Sequence, residues 1–286
     1  MLAFGGKICL CRFVLHATAE NNRKSCRWLT AVAMQDNINV LCKEHQVRKL
    51  ISCLSTCIFP DKASYPIGED ALHDGPPHAS NEGYAFAKRM IDVQNKLYRN
   101  QFGCNFTSVS VGAHSAHSLS EVNFAFERTQ VCMQVIPTNV FGKHDNFSLT
   151  GGHVIPCLIH KCYLAKKNNT DLVVLGSGRP LRQFIYSSDL ARLMIWAIRD
   201  YSESAPIILS GSEEVSIADA SLAVAEAFSF TGKIMFDTSK SDGQYQKTAS
   251  NKKLMSYLPH FEFTPLSEAL AETVQWFTAN VDVARK

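Results

Sequence analysis

Charge is scarce in this sequence: 19% of its 286 residues are Asp, Glu, Lys or Arg, against about 25% in an ordinary globular chain, and the formal net charge is only +3. There is no arginine-rich arm, no zinc-finger spacing and no RNP-like string, so the cationic stripe and base-reading elements that nucleic acid requires are missing. The apolar stretches of the first 35 residues are interrupted by Lys7 and Arg12, which leaves neither a clean secretory signal nor a membrane span. Without a secretory signal, ten cysteines do not describe a disulfide framework. Their spacings (Cys9 to Cys11, Cys53 to Cys57, Cys157 to Cys162) fit no standard zinc pattern, and no metal is expected. Buried thiols in a reducing, cytoplasmic compartment are the expectation. In that setting the sequon-like strings at Asn105, Asn146 and Asn168 carry no weight. Internal repeats, heptad runs and low-complexity tracts are absent.

What is present is a chain able to bury a core, with 46% hydrophobic residues, of a length that suits one α/β domain or two unequal lobes. Its most informative stretch is Asn81-Glu82-Gly83-Tyr84-Ala85-Phe86-Ala87-Lys88. Four-residue spacing stacks Tyr84 and Lys88 on one helical face. A nearby ammonium favours the phenolate and so lowers a phenol pKa that starts at about 10. Upstream, Lys49 to Pro60 reads as a buried strand ending in small hydroxyl residues, with Ser55 near the carboxyl end where open parallel sheets bind ligands.

The rest of the chain alternates helices and strands. Asp36 to Gln46 reads as part of a helix leading into the Ser55 strand. After a loop from Asp70 to Ser80, the Tyr84 helix runs to about Phe102 on an apolar stripe of Met90, Ile91, Leu97 and Tyr98, with Gly103 as its C-cap. Helices are expected at His153 to Lys166, Ser187 to Tyr201 (Leu190, Leu193, Met194, Ala197 and Ile198 on one face), Ser216 to Phe228 behind a Ser216/Asp219 capping box, and Leu266 to Asn280. Strands are expected at Asp171 to Leu175, Pro206 to Leu209 and Lys233 to Phe236.

A serine at a strand end followed by a Tyr-x-x-x-Lys helix resembles the catalytic trio of the short-chain dehydrogenase/reductase superfamily, in its extended sugar-nucleotide branch. Ser55-Thr56-Cys57-Ile58-Phe59-Pro60, Pro137-Thr138-Asn139-Val140-Phe141-Gly142, His144-Asp145-Asn146-Phe147, His153-Val154-Ile155-Pro156, Arg182-Gln183-Phe184-Ile185-Tyr186 and Lys240-Ser241-Asp242-Gly243 together resemble the GDP-L-fucose synthase family. The resemblance runs from Ile38 to the carboxyl end with one interruption at about 109–134, between Phe106-Thr107-Ser108 and Val135. It implies an NAD(P)-binding Rossmann-like α/β fold, an incomplete doubly wound parallel sheet, with a smaller α/β substrate lobe. The partition it implies is a non-family segment 1–35, a partial Rossmann-like domain 36–150 carrying the interruption, and a GDP-sugar lobe 151–286 with segments returning to the sheet. The interruption is expected to bulge out or displace the strand. Family members open with a strand, a Gly-x-x-Gly-x-x-Gly turn and a helix that hold the cofactor pyrophosphate; Phe4-Gly5-Gly6-Lys7 is the nearest counterpart and lacks the spacing.

The family's roles fall on matching residues. Tyr84 is the expected proton donor, Lys88 tunes it and holds the nicotinamide ribose, and Ser55 hydrogen-bonds the same substrate oxygen. Cys57 and His153 are the expected pair for epimerisation, a thiol near about 8.5 and an imidazole near about 6.5 being able to exchange protons at neutral pH. NADP(H) is expected against Leu54, Ser55, Thr56, Tyr84, Lys88, Pro137, Thr138, Asn139, Val140 and His153. Lys161, Arg182, Lys233 and Asp242 are expected at the GDP-sugar, GDP-4-keto-6-deoxy-D-mannose, with a homodimer as the family's assembly and neither membrane nor nucleic acid as partner. Two other readings stay open: a sugar-nucleotide-binding or dimerising remnant without a working cofactor cradle, and a hexose 4-epimerase, against which Cys57 and the His-Asp-Asn-Phe and His-Val-Ile-Pro strings speak.

Overall fold

The computed structural model describes residues 8–11, 24–45, 47, 49–102 and 131–286. Four strands form a parallel sheet in the order β1 (Ile8–Cys11), β2 (Lys49–Cys53), β3 (Val131–Pro137) and β8 (Ile207–Leu209). Parallel neighbours need crossover connections. Here α1 (Lys24–Glu44) and α2 (Glu82–Phe102) lie between successive strands in the chain. Beyond β3 come β4 (Asn139–Phe141), α3 (Val154–Asn168), β5 (Leu172–Leu175), β6 (Leu181–Arg182), β7 (Phe184–Tyr186) and α4 (Ser187–Arg199). After β8 follow β9 (Val215–Ser216), α5 (Ile217–Ala227), β10 (Ile234–Asp237), α6 (Lys252–Tyr257) and α7 (Leu266–Ala279). Pairs β4–β7 and β5–β10 are parallel, and β6–β9 is antiparallel.

Strand alternation divides the core. Ile51, Cys53, Val135, Ile207 and Leu209 point to one face and pack with Leu193 and Ala197 of α4 and Leu254 of α6. Leu54, Ile136 and Ile208 point to the other and meet Ile91 of α2. Helices therefore cover both faces, as a doubly wound sheet demands. A separate core joins α3, α5 and α7 over β5, with Leu172, Phe147, Leu270 and Phe277 fully buried. The Ser216/Asp219 capping box opens α5 as the sequence predicts, and Asn169 closes α3 in the left-handed region at φ 51°.

The helix of which Asp36 to Gln46 is expected to be part runs Lys24–Glu44. Two expectations need correction. The Ser55 strand stops at Cys53, because residues Thr56–Ile58 turn into a 3-10 helix that swings the chain off the sheet. Leu97 is not part of the buried stripe of α2; it is 55% exposed. The Gly103 cap, Phe4-Gly5-Gly6-Lys7 and the interruption up to residue 130 lie outside the described residues. Its last four residues, Val131 to Gln134, do not bulge: they pair with β2 in unbroken register, Val131 opposite Lys49 through Gln134 opposite Ser52. The reason is the ladder itself, since leaving that row of β2 without a partner forfeits hydrogen bonds in the middle of a sheet. Among the described residues no helix is long and apolar enough to cross a membrane.

Rebuilding the strand this way carries a polar side chain into the interior. Beneath the sheet, Gln35, Asn39, Ser52 and Asn95 form a buried network with bonds of 3.0–3.4 Å. Gln134, opposite Ser52, is fully buried, and neither its amide nitrogen nor its oxygen has a partner. An unpaired buried amide costs about 1–3 kcal/mol. Gln134→Val, of similar volume and better suited to a strand, should therefore raise the urea midpoint, by about 1 kcal/mol of stability; a lower midpoint would mean that the amide is satisfied in solution.

Candidate functional site

The chain leaving β2 is held in place before it reaches any chemistry. The Leu54 amide still donates to the Val135 carbonyl (2.8 Å), which keeps the segment aligned with the carboxyl end of β3. Ser55 follows in extended conformation (φ −162°, ψ 151°), and its side chain does not cap the 3-10 turn that starts at Thr56. That leaves the hydroxyl within hydrogen-bonding range of both the Tyr84 phenol and the Cys57 thiol. Tyr84 and Lys88 come from α2, whose amino-terminal half lies against this segment. The Lys88 ammonium donates to the Cys53 carbonyl (2.7 Å) and stands 5.9 Å from the centre of the Tyr84 ring. Ser55, Cys57, Tyr84 and Lys88 are thus brought together as expected.

Their electrostatics differ from the expectation. Burial pushes the Tyr84 phenol well above its ordinary pKa, the neighbouring Cys57 adds to this, and the Ser55 hydroxyl only partly opposes it. Burial lowers the Lys88 ammonium, with Cys53 and Cys57 opposing. Tyr84 is therefore a neutral phenol at physiological pH, poised to give up a proton only when a developing oxyanion draws on it. The Cys57 thiol is also raised by burial, against the Ser55 hydrogen bond and the cations Lys247 and Lys88.

On the neighbouring strand end, Thr138 is buried and its hydroxyl oxygen has no partner. Asn139 is engaged structurally: its amide side chain donates to the Gln183 carbonyl (2.8 Å), fixing the step from β3 to β4. Pro137 ends β3 beside Leu209, and Val140 packs on the α4 side of the sheet. His153 is exposed at the amino end of α3, where its carbonyl, not its ring, accepts the first bond, from the Cys157 amide (2.9 Å). Among the described residues no hydrogen bond joins it to Cys57 or Tyr84.

Of the residues expected at the sugar nucleotide, Arg182 and Asp242 share one neighbourhood. The Arg182 guanidinium donates to the carbonyls of Leu181 (2.7 Å), Gln244 (2.7 Å) and Tyr245 (3.2 Å). Asp242 accepts from the Ser177 amide (2.6 Å) and hydroxyl (2.7 Å), bonds that hold its carboxyl below the usual range. Lys161 donates to the Val173 carbonyl (3.2 Å). Lys233 lies apart, exposed at the amino end of β10, about 13 Å of strand from Asp237 and so at the opposite end from Asp242.

Two cations went unread in the sequence. Lys247 sits on a strap, residues 244–250, pinned on one side by Leu181, Arg182 and Gln183 and on the other by Tyr65 and Ile67. Its ammonium is lowered by burial and by Arg182, and raised by Cys57 and Asp61. No periodicity or motif marks it. Arg89 is buried on α2; a charge at helical spacing from Ala85 and Asp92, on a buried face, is the signal that could have found it.

The model of the NAD dependent epimerase/dehydratase family matches residues 8–128 and 114–210. The match begins at residue 8, where β1 also begins, upstream of the residue 36 at which family-like sequence was expected to start. The GDP-L-fucose synthase of Dictyostelium discoideum is 53% identical over 257 residues, 89% of this chain and 72% of that protein. A probable GDP-L-fucose synthase of Drosophila melanogaster is 47% identical over 88% of this chain and 74% of its own length. The crystal structure of a GDP-L-fucose synthetase from Naegleria fowleri, also solved bound to NADP, is similar at 46% identity and a TM-score of 0.83, covering 97% of this chain and 78% of that one. A UDP-glucose 4-epimerase from Thermotoga maritima, at 12% identity and TM-score 0.76, shares the fold alone.

Because one hydroxyl serves both groups, Ser55→Ala should raise the Cys57 thiol further and move its iodoacetamide alkylation profile to higher pH, with slower modification at pH 8. An unchanged profile, read by peptide-resolved mass spectrometry, would contradict the shared hydrogen bond.

Proposed function

The chain belongs to the NAD dependent epimerase/dehydratase family and, within it, to the GDP-L-fucose synthases; from that premise we propose that it acts on GDP-4-keto-6-deoxy-D-mannose, exchanging protons at C3 and C5 and reducing the C4 ketone to give GDP-L-fucose. The observation that carries the reading is Ser55 standing between the Tyr84 phenol and the Cys57 thiol, one group suited to a C4 oxygen and one to the carbons beside it.

In this reading Tyr84 donates its proton to the C4 oxygen as negative charge develops there, and Ser55 steadies the same oxygen. Lys88 holds the loop and, through its charge, offsets the phenolate left behind. The C4 carbonyl makes the C3 and C5 hydrogens removable. Of Cys57 and His153, one takes a proton from one face as base and the other returns a proton to the opposite face as acid, so nothing is gained or lost. Exposed His153 can exchange its proton with water. NADPH, when bound, supplies the hydride. The residues present suit its nicotinamide-ribose half: Ser55, Tyr84, Lys88 and the unpartnered Thr138 hydroxyl, with Leu54, Thr56, Pro137, Asn139, Val140 and His153 around them. No Gly-x-x-Gly-x-x-Gly string for the pyrophosphate occurs in the sequence.

We assign the cofactor to 36–150 and the GDP-sugar to 151–286, with Arg182, Asp242 and Lys161 as its ligands; Lys233 has the weaker support, given its place on β10. A homodimer is assigned to the outer face of α2, where Phe86 (41% exposed), Met90, Val93 and Leu97 recur at the four-three-four spacing of a helix–helix seam beside Leu41 of α1 (44%). A monomer mass by light scattering at micromolar concentration would remove that assignment.

The lack of that glycine string favours a second reading, in which the chain binds the sugar nucleotide but reduces it poorly. The two half-reactions separate the readings. In D2O with NADPH, C3 or C5 should acquire deuterium faster than GDP-L-fucose forms; Cys57→Ser should suppress the label, and Tyr84→Phe should affect it less. Fucose formation keeping pace with labelling would show an intact cofactor site, and no labelling above background would leave a binding remnant.

A further inference from the structure

The loop that carries Ser55 and Cys57 is gripped at both ends by consecutive residues of one helix. At its start, Lys88 bonds the Cys53 carbonyl (2.7 Å). At its end, the Arg89 guanidinium donates Nε to the Ile58 carbonyl (2.5 Å) and Nη1 to the Gly75 carbonyl (2.6 Å), the latter in the loop that leads back to α2. Arg89 is 6% exposed, and its second terminal nitrogen is buried with no partner. Cys57 is the residue just before Ile58 and lies close enough to act on the Arg89 charge. The 3-10 turn has few bonds of its own: the Ile58 amide reaches Ser55 at 3.2 Å and the Phe59 amide reaches Thr56 at 3.4 Å.

A fully desolvated guanidinium is a costly way to stitch two carbonyls, since burying an ion costs several kcal/mol before its bonds compensate. It does give what a neutral side chain cannot, a planar fork bonding two loops at once. Lys88 bonds the residue two before Ser55, and Arg89 bonds the residue just after Cys57. We propose that Arg89 is the positioning residue of the epimerising half of the site: by fixing the Ile58 end of the turn it holds the Cys57 thiol against the C3–C5 side of the sugar, while Lys88 alone suffices for Ser55 and Tyr84. This rests on the functional reading above, in which Cys57 exchanges those protons.

The division of labour sets the outcome of two substitutions. Arg89→Met loses both carbonyls; Arg89→Lys can reach one. Hydrogen exchange of peptides covering 54–59 should speed up in Arg89→Met and less in Arg89→Lys, with peptides of β2 and β3 unchanged. Deuterium uptake at C3 and C5 in D2O should fall by on the order of 10–100-fold in Arg89→Met, the scale of a misplaced reacting group. The KM for the sugar nucleotide should stay within about twofold, and Arg89→Lys should recover part of the loss. A general loss of packing would instead raise KM together with the fall in uptake, and Arg89→Lys would show no rescue, which would overturn the proposal. Unchanged protection of 54–59 in both variants would also overturn it. If Arg89→Met does not fold, Arg89→Lys decides by the same two measurements. A wild-type chain that takes up no deuterium defeats the functional reading, while the protection of 54–59 still tests the clamp.

Discussion

Lys88 is 2% exposed, and a buried ammonium has to be given oxygen atoms. The Cys53 carbonyl, at the end of β2, provides one at 2.7 Å. That single bond ties the carboxyl end of the sheet to α2 and sets the distance between them. Tyr84, one turn earlier on the helix, is thereby placed over Ser55, two residues beyond the strand. Cutting a buried charge loose costs about 3–5 kcal/mol, so the arrangement of the site and the stability of the helix–sheet joint are one constraint. Further along the same face, Asp92 is buried and held by Lys96 (2.8 Å) and His73 (2.7 Å), and Asn95 enters the network with Ser52.

The inner face of α2 carries Lys88, Arg89, Asp92 and Asn95 beside Ala85, Ala87 and Ile91, whereas Phe86 and Leu97 face outward. An ordinary amphipathic helix keeps such charges on its solvent side. The polar inner face is explained by strand ends and loop carbonyls that need donors. Burial then sets the chemistry. Desolvation keeps Tyr84 protonated and Cys57 a thiol; Ser55 opposes both shifts, and Lys247 and Lys88 oppose that of Cys57.

Much of this was legible in the sequence, and the gaps have physical causes. Tyr84 and Lys88 announce themselves by helical spacing, and Ser55 by its place after an apolar run; the helices α3, α4, α5 and α7 lie where periodicity and capping put them. The direction of the Tyr84 shift was not legible, because proximity of a lysine along a helix says nothing about how deeply both are buried. Lys247 was invisible since its position depends on a strap pinned by residues far away in the chain. Val131 to Gln134 looked like the tail of an interruption, and pairing made them a strand, because an empty row beside β2 is worse than an ill-suited glutamine. His153 sits in a string that the sequence marks clearly, and it stands exposed at the start of α3.

The central claim is that one loop, fixed to α2, presents Ser55 and Cys57 beside Tyr84 of that helix to a single sugar ring. A crystal structure of the chain with GDP-L-fucose bound tests it most directly. The account predicts the C4 oxygen within hydrogen-bonding distance of both the Ser55 hydroxyl and the Tyr84 phenol, with the Cys57 sulfur against C3 or C5. A sugar ring seated away from that loop, with the diphosphate still on Arg182 or Lys247, would contradict it.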